Sequence, residues 1–310
     1  MLQVFDERNR DLVVNVGGKL SHRDQAAVNP FDSAVQGGDA VWEGLRLYHG
    51  RIFRLAEHLD RLRRSARALA FTSVPPDEEI IAEIRRTLAA NQMTDNVHIR
   101  LTLTRGVKIT SGMDPRLNQS GPTLIVLPEH KPPVYDTSGI SLITASVRRP
   151  AADTLDPKIH HNNLLNSILA KIEANIAGAD DAVMLDHRGF VAETNATHVF
   201  AVTGGSLLTP TTGACPEGIT RQAVLDLAAE AGLAVAVGDY TLAQLYAAEE
   251  LFVTGTMGGI VPVLTLDGRT VGDGRPGPVT RRLAGLFAEL TAASGTVVTG
   301  EPVSSSRPGG

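Results

Sequence analysis

Apolar residues recur along this chain at two spacings, and they divide it into strands and helices. "LVVNVGGKLSHRD" (12–24) alternates around Gly17-Gly18 and reads as two short strands. "DAVWEGLRLYHGRIFRL" (39–55) reads as a hairpin turning at His49-Gly50. "AEHLDRLRRSARALA" (56–70) changes period: Leu59, Leu62, Ala66 and Leu69 share one helical face. "DEEIIAEIRRTLAANQ" (77–92) predicts a second helix with acids in its first turn. "VHIRLTLTRG" (97–106) alternates again, and "PTLIVLPE" (122–129) reads as a buried strand. "EHKPPVYDTSG" (129–139) has two prolines, a glycine and no periodicity, which makes it an interdomain linker. Beyond it come a strand over 140–148, a helix over 164–178, and strands over 182–186 and 198–202. A helix over 220–232, a strand over 249–254 and a last helix over 278–293 follow. The Gly/Ser/Pro-rich tail 295–310 is expected to be disordered. Strands and helices alternate in both halves, so the class is mixed α/β (α+β), with domains over 1–128 and 140–294.

Composition narrows the classes of function. An apolar share of 43% and a charged share of 20% suit a globular chain with a sizeable core. A net charge of −5 and a pI near 6.0 give no electrostatic reason to expect nucleic acid or an anionic membrane. The arginines of 58–70 read as the solvated face of a helix. The single Cys215 excludes an internal disulfide and any cysteine-based zinc site, and suits a reducing compartment. "MLQVFDERNR" lacks the apolar core of a signal peptide, and no apolar run approaches the roughly 20 residues of a membrane span. A cytoplasmic protein is expected.

Four stretches of the second half carry candidate chemistry. Lys158, one of five lysines, precedes His160-His161 and Asn162-Asn163 in "LDPKIHHNNLLNSILAKIEA". Glu193 lies in "GFVAETNATHVF" (189–200). Gly218-Ile219-Thr220 opens a helix in "CPEGITRQAVLDLA" (215–228), and "FVTGTMGGIVPV" (252–263) runs from a strand into a Gly/Thr loop. Helix starts and Gly/Thr loops offer free N–H groups and hydroxyls, the parts that bind phosphate. Each stretch alone is ordinary. Adjacent histidines on a loop seldom face one ion, so no metal is expected at His160-His161.

In this order and spacing the four stretches resemble the class IV aminotransferases, pyridoxal-phosphate enzymes of fold type IV. "DAVWEGLRLY" is similar to that family's "FEGIR" strand and "RIFRLAEHLDRL" to its "FR–EH–RL" segment. The resemblance spans about residues 10–290. It implies a small α/β N-terminal domain, a larger pseudo-barrel C-terminal domain, pyridoxal 5'-phosphate between them, and a homodimer. It makes Lys158 the Schiff-base lysine and Glu193 the partner of the pyridine nitrogen. Arg54, Ile219, Thr220, Thr256 and the N–H of Met257 would hold the phosphate, and Asn163 would reach the ring hydroxyl. Counting back from "AKIEA", however, puts Ile159 or His160 at the family's lysine position. Either the loop carries an insertion that lets Lys158 reach in, or the lysine is lost. Retention of Glu193, Arg54, Thr220 and Thr256 favours the insertion.

The resemblance implies amino transfer between an aliphatic, branched-chain-like amino acid and 2-oxoglutarate. Arg46 and Arg100 would bind a carboxylate, with Trp42 and His98 beside them. "GTMGGI", "TRG" and "NLLNSILAK" lean towards the D-amino-acid branch, so a D-amino-acid or (R)-amine transaminase stays open. So do an aminodeoxychorismate-type lyase and a non-catalytic homologue without the lysine.

Overall fold

The computed structural model describes residues 3–299. Two sheets organise the chain. The first half builds β1 (Val13–Val16), β2 (Lys19–His22), α1 (Ser33–Gly37), β3 (Ala40–Tyr48), β4 (Arg51–Ile52), α2 (Leu55–Ala68), α3 (Asp77–Ala90), β5 (Val97–Thr104) and β6 (Thr123–His130). The second half builds β7 (Ile140–Thr144), α4 (Leu165–Ile176), β8 (Asp181–Leu185), β9 (Val191–Thr194), β10 (His198–Thr203) and β11 (Ser206–Pro210). After these come α5 (Ile219–Glu230), β12 (Ala234–Gly238), α6 (Leu242–Tyr246), β13 (Glu250–Gly255), β14 (Gly259–Leu266), β15 (Arg269–Thr270), α7 (Pro278–Ala293) and β16 (Thr296–Val297).

The seven-stranded sheet runs β16-β4-β3-β5-β6-β1-β2. The β3–β4 hairpin turns where the sequence places it: His49 and Gly50 both have positive φ, 47° and 78°, as a tight hairpin requires. Helices α2 and α3 lay Leu59, Leu62, Ile80, Ile84 and Leu88 on this sheet, against Leu45, Leu47, Ile99 and Leu101. The nine-stranded sheet runs β12-β11-β10-β13-β14-β7-β8-β9, with β15 paired to β14. Its ends approach each other, since the Val191 N–H donates to the Tyr240 carbonyl at 2.8 Å. Apolar side chains fill this curled sheet, while α5 and α7 pack Val224, Leu227, Leu283 and Phe287 on its outer face, over Phe200 and Phe252.

Several boundaries differ from the sequence reading. Strand β6 continues through His130, because its pairing with β5 runs to Val97, so the connection starts at Lys131 rather than at 129. Strand β7 stops at Thr144. The expected tail begins as β16, which pairs with β4 because that edge of the sheet is otherwise open; residues 300–310 lie outside the described residues. The polar face of α2 is not solvated throughout. His58, Arg61 and Ser65 are buried, and they recur at helical spacing beside the apolar stripe.

Candidate active site

The site lies where β3 and α2 of the first sheet meet β9, β10 and the start of α5. Strand β3 presents alternate residues to opposite faces. Glu43 points towards α2 and is fully buried. It accepts from Arg61 Nε at 2.8 Å and Nη2 at 2.6 Å, from His58 Nδ1 at 2.7 Å and from His160 Nδ1 at 3.2 Å. Burial alone would raise the Glu43 pKa. The Arg61 guanidinium and His160 outweigh it and hold the carboxyl well below the usual range.

Arg61 also donates to the Glu217 carbonyl at 2.7 Å, and Arg64 reaches the Glu217 carboxylate at 2.8 Å. Helix α2 thereby fixes the loop before α5. That loop brings Cys215 against strands β9 and β10. One ligand atom each of Glu193, His198 and Cys215 lies within 4.8 Å of the others. Glu193 pairs with Arg149 at 3.1 Å. Burial pushes its pKa up to about 7 against the pull of Arg149. His198 is held down to about 3 by burial and by the fields of Arg221, Arg61, Arg149 and His160. A His/Cys/Glu cluster is a donor set that the cysteine count did not foresee. Three arginines around it oppose a cation, so it reads as an anion-facing pocket.

Helix α5 starts at Gly218-Ile219 with no side chain capping its first turn, which leaves free N–H donors there. Gly218 is required: a Cβ there would lie 2.1 Å from His198 Nε2. Thr220 is buried in that first turn. Thr254, the ladder partner of His198, keeps a buried hydroxyl with no hydrogen-bond partner. Thr256 and Met257 form the turn between β13 and β14. Arg54 adopts left-handed backbone, φ 48° and ψ 42°, just before α2, and its Nη2 meets Asp226 of α5 at 2.5 Å. Orphaned hydroxyl, uncapped helix and buried carboxylate are what a phosphorylated pyridine requires. The residues present fit pyridoxal phosphate at its phosphate and ring-nitrogen ends.

The amine end is different. Lys158 Nζ lies 3.1 Å from Thr212 Oγ1 and 3.2 Å from Glu217 Oε1, and its side chain is 42% exposed. His160 is the residue of that segment that turns inward, with its side chain only 14% exposed. Its ring stacks on Trp42 with centroids 4.3 Å apart. Asn163 is exposed. Arg100 lies over the same indole, 3.7 Å from its centroid, and donates to Asn162 Oδ1 at 2.6 Å. Arg46 donates to the Lys131 carbonyl at 2.8 Å. His98, between Arg46 and Arg100 on this face, is held down to about 3 by burial and by Lys131, Arg46 and Arg100, and its Nδ1 has no partner. The sheet therefore gathers Trp42, Arg46, His98 and Arg100 on one face.

A family model described as "Amino-transferase class IV" matches residues 40–266. The chain belongs to the class IV aminotransferase family. Its relatives include the branched-chain-amino-acid aminotransferase-like protein 2 of Arabidopsis thaliana, 54% identical over 94% of this chain and 52% of that protein. This chain thus spans about half the length of that relative. A putative branched-chain-amino-acid aminotransferase of Methanocaldococcus jannaschii is 41% identical over 93% of this chain and 99% of its own length. A D-alanine aminotransferase of Bacillus licheniformis is 32% identical over 86% and 92%. The crystal structure of the T.th. branched-chain amino acid aminotransferase complexed with N-(5'-phosphopyridoxyl)-L-glutamate superimposes with a TM-score of 0.85, at 32% identity over 91% of this chain and 95% of that one. The two sheets are therefore those of fold type IV.

Sequence reasoning within this class IV chain missed Glu43, His58, Arg61, Arg149, His198 and Glu217. The signal for the α2 residues was a polar stripe, His58-Arg61-Ser65, running beside an apolar one. No sequence signal points to Arg149, which the turn after β7 brings to Glu193.

Proposed function

We propose that this class IV chain is a pyridoxal 5'-phosphate-dependent aminotransferase of branched-chain type, moving an amino group between an aliphatic L-amino acid and 2-oxoglutarate in two half-reactions. The observation that carries this is the cluster at Glu193: a buried carboxylate close to His198, whose strand partner Thr254 keeps an unpartnered hydroxyl and against whose ring Gly218 opens an uncapped helix. When bound, the cofactor supplies an electron sink for charge developing at the substrate α-carbon. Glu193 holds the ring nitrogen. The Ile219 N–H, Thr220, Thr256 and the Met257 N–H bind the phosphate, joined by Arg54 once it leaves Asp226. Arg46 and Arg100, with Trp42 and His98, form the wall that takes a substrate carboxylate. Asn163 is the candidate for the ring hydroxyl. The lysine route implied by the resemblance runs through Lys158, provided its amine leaves Glu217 and Thr212.

The branched-chain reading is supported by the relatives at 41% and 54% identity, and the glutamate side by the pyridoxyl-L-glutamate complex of a structural neighbour. A D-amino-acid transaminase is the second reading, favoured by the relative at 32% identity. A homodimer is proposed as well. Helix α4 exposes Leu165, Ile168, Leu169, Ile172 and Ile176 in one stripe, which a partner chain would cover. Cys215 is buried and unpaired, which suits the proposed cytoplasmic location. No helix of the described residues is long and apolar enough to cross a membrane.

The test is cofactor titration followed by turnover. Glutamate formed from L-leucine and 2-oxoglutarate supports the reading, and turnover of D-alanine alone transfers it to the D branch. Pyruvate released without an acceptor identifies a lyase. Cofactor bound with no product from any donor identifies a non-catalytic homologue.

A further inference from the structure

Arg149 is held from three sides before it meets Glu193. Its backbone N–H donates to the Leu185 carbonyl of β8 at 2.8 Å. Its Nε donates to the Ala214 carbonyl, in the loop before α5, at 3.1 Å, and its Nη1 to Ser167 Oγ of α4 at 3.3 Å. The remaining nitrogen, Nη2, stands 3.1 Å from Glu193 Oε1, and both side chains are nine-tenths buried or more. A planar guanidinium tied at two of its nitrogens has little freedom to swing aside, so the carboxylate faces a cation of set position. Among the described residues Arg149 is the only ion-pair partner of Glu193. Asp181 acts with the opposite sign. It is fully buried at the start of β8, where its carboxylate accepts from the Tyr135 hydroxyl at 2.5 Å and from the Ala182 N–H at 2.7 Å. Its charge disfavours a second negative charge on Glu193, while Arg149 and, more weakly, Arg61 favour one. The other titratable neighbours are His198 and Cys215. Burial keeps that imidazole neutral and pushes the thiol up, so neither carries charge at neutral pH. Burial, set against Arg149, leaves Glu193 at about 7, poised between its two forms.

Resting on the cofactor-binding reading above, we propose that Arg149 is a positioning residue for Glu193: it holds the carboxylate in place and in its charged form against Asp181, and thereby sets the lowest pH at which the pocket accepts a ligand with a protonated ring nitrogen. Such a nitrogen donates a hydrogen bond, and an ionised carboxyl accepts it with the opposite charge. A protonated carboxyl offers no charge and one acceptor oxygen fewer. Without the Arg149 cation, burial and Asp181 act on Glu193 almost unopposed, and the carboxyl keeps its proton to higher pH. Without the Asp181 charge the balance tips the other way. Arg149 touches neither ring nor substrate in this scheme; it acts through Glu193.

The experiment measures binding of pyridoxamine 5'-phosphate to the purified chain by equilibrium dialysis across neutral pH. This ligand has an amine in place of the aldehyde, so its binding needs no bond to a lysine. Affinity for the unmodified chain should fall as pH drops through about 7. Arg149→Met should move that acid limb up by about one pH unit, the low end for loss of an adjacent opposite charge, which is about tenfold weaker binding at a fixed pH on the limb. Arg149→Lys, which keeps the charge, should return most of the shift. Asp181→Asn should move the limb down. The ligand's own phosphate titrates at about 6 in every variant and cancels in the comparison. Binding weakened equally at every pH in Arg149→Met, with the limb unmoved, makes the arginine a brace and overturns this inference alone. A shift of Asp181→Asn in the same direction as Arg149→Met does so too. Where Arg149→Met does not fold, the limb of Asp181→Asn decides, downward for the inference and unmoved against it. Absence of binding to the unmodified chain at any pH overturns both this inference and the reading beneath it.

Discussion

His160 and Trp42 stack with centroids 4.3 Å apart and planes inclined by 29°, while the Arg100 guanidinium lies 3.7 Å from the same indole. The Trp42 ring thus joins an arginine of β5 to a histidine of the loop before α4. Trp42→Ala should destabilise the fold by about 3 kcal/mol, the low end for truncating a tryptophan, since this one is half-buried. Trp42→Phe should keep most of that stability, since a phenyl ring retains both faces. Urea unfolding of the two variants checks this, and equal losses would count against the stack.

Acid should destabilise the chain before its surface carboxylates titrate. Burial comes first among the causes that hold His98, His160 and His198 down to about 3, 4 and 3, against an ordinary 6.5. From pH 6.5 downwards the unfolded chain binds three protons that the folded chain refuses, so this stability is present above 6.5 and is lost as pH falls towards those values. Each proton contributes a slope of about 1.4 kcal/mol per pH unit. Glu193 acts in the opposite sense. Its folded pKa of about 7 exceeds the ordinary 4.5, so its contribution weakens as pH rises through that window. Three groups outnumber one, and the urea midpoint should fall between pH 6.5 and 4.5. A flat profile there would contradict the neutral histidines.

Gly218→Ala places a methyl 2.1 Å from His198 Nε2 in a buried pocket. The backbone there is ordinary, φ −72°, so the effect is purely steric. The fold should lose about 1–3 kcal/mol, read as a lowered melting temperature. Cofactor affinity should fall with it, because the start of α5 shifts.

Arg54 Nη2 pairs with Asp226 at 2.5 Å. Asp226→Asn should tighten cofactor binding by releasing the guanidinium, and Arg54→Ala should weaken it by about tenfold, roughly 1.4 kcal/mol. Opposite signs in the two variants identify competition between carboxylate and phosphate for one arginine. Weaker binding in both would make the pair a structural brace instead.

Ile172 sits mid-stripe on the exposed face of α4. Ile172→Glu should leave the melting temperature of the chain almost unchanged and convert a dimer to a monomer, measured by light scattering. A change in stability without a change in mass would show that the stripe packs within the chain.

The hairpin at His49-Gly50, helices α2, α3, α5 and α7, and the helix start at Ile219 were legible because each is a local pattern: a turn dipeptide, a 3.6-residue period, a Gly before a helix. Glu193 was singled out through resemblance, and the structure buries it. Arg149, Glu43 and His198 were not, since nothing within a few residues of them says what they will face. The short strands β11, β12, β15 and β16 also escaped, because two to five residues carry too little periodicity and gain their stability only from a neighbouring strand.

Taken by itself, the sequence determined the mixed α/β class and the inventory of chemistry-bearing side chains, because periodicity and turn residues act over short range. It left open whether Lys158 or a residue after it faces the site. Tertiary structure decided which side chain of that loop is drawn inward. The hydrogen bonds between residues 160–162 and β3 lock a register across more than a hundred residues of chain. They turn the His160 ring inward against Glu43 and leave the Lys158 ammonium on the rim with Glu217. Such a choice lies in long-range backbone pairing and in which side chain of a loop is drawn away from water, which no local pattern encodes.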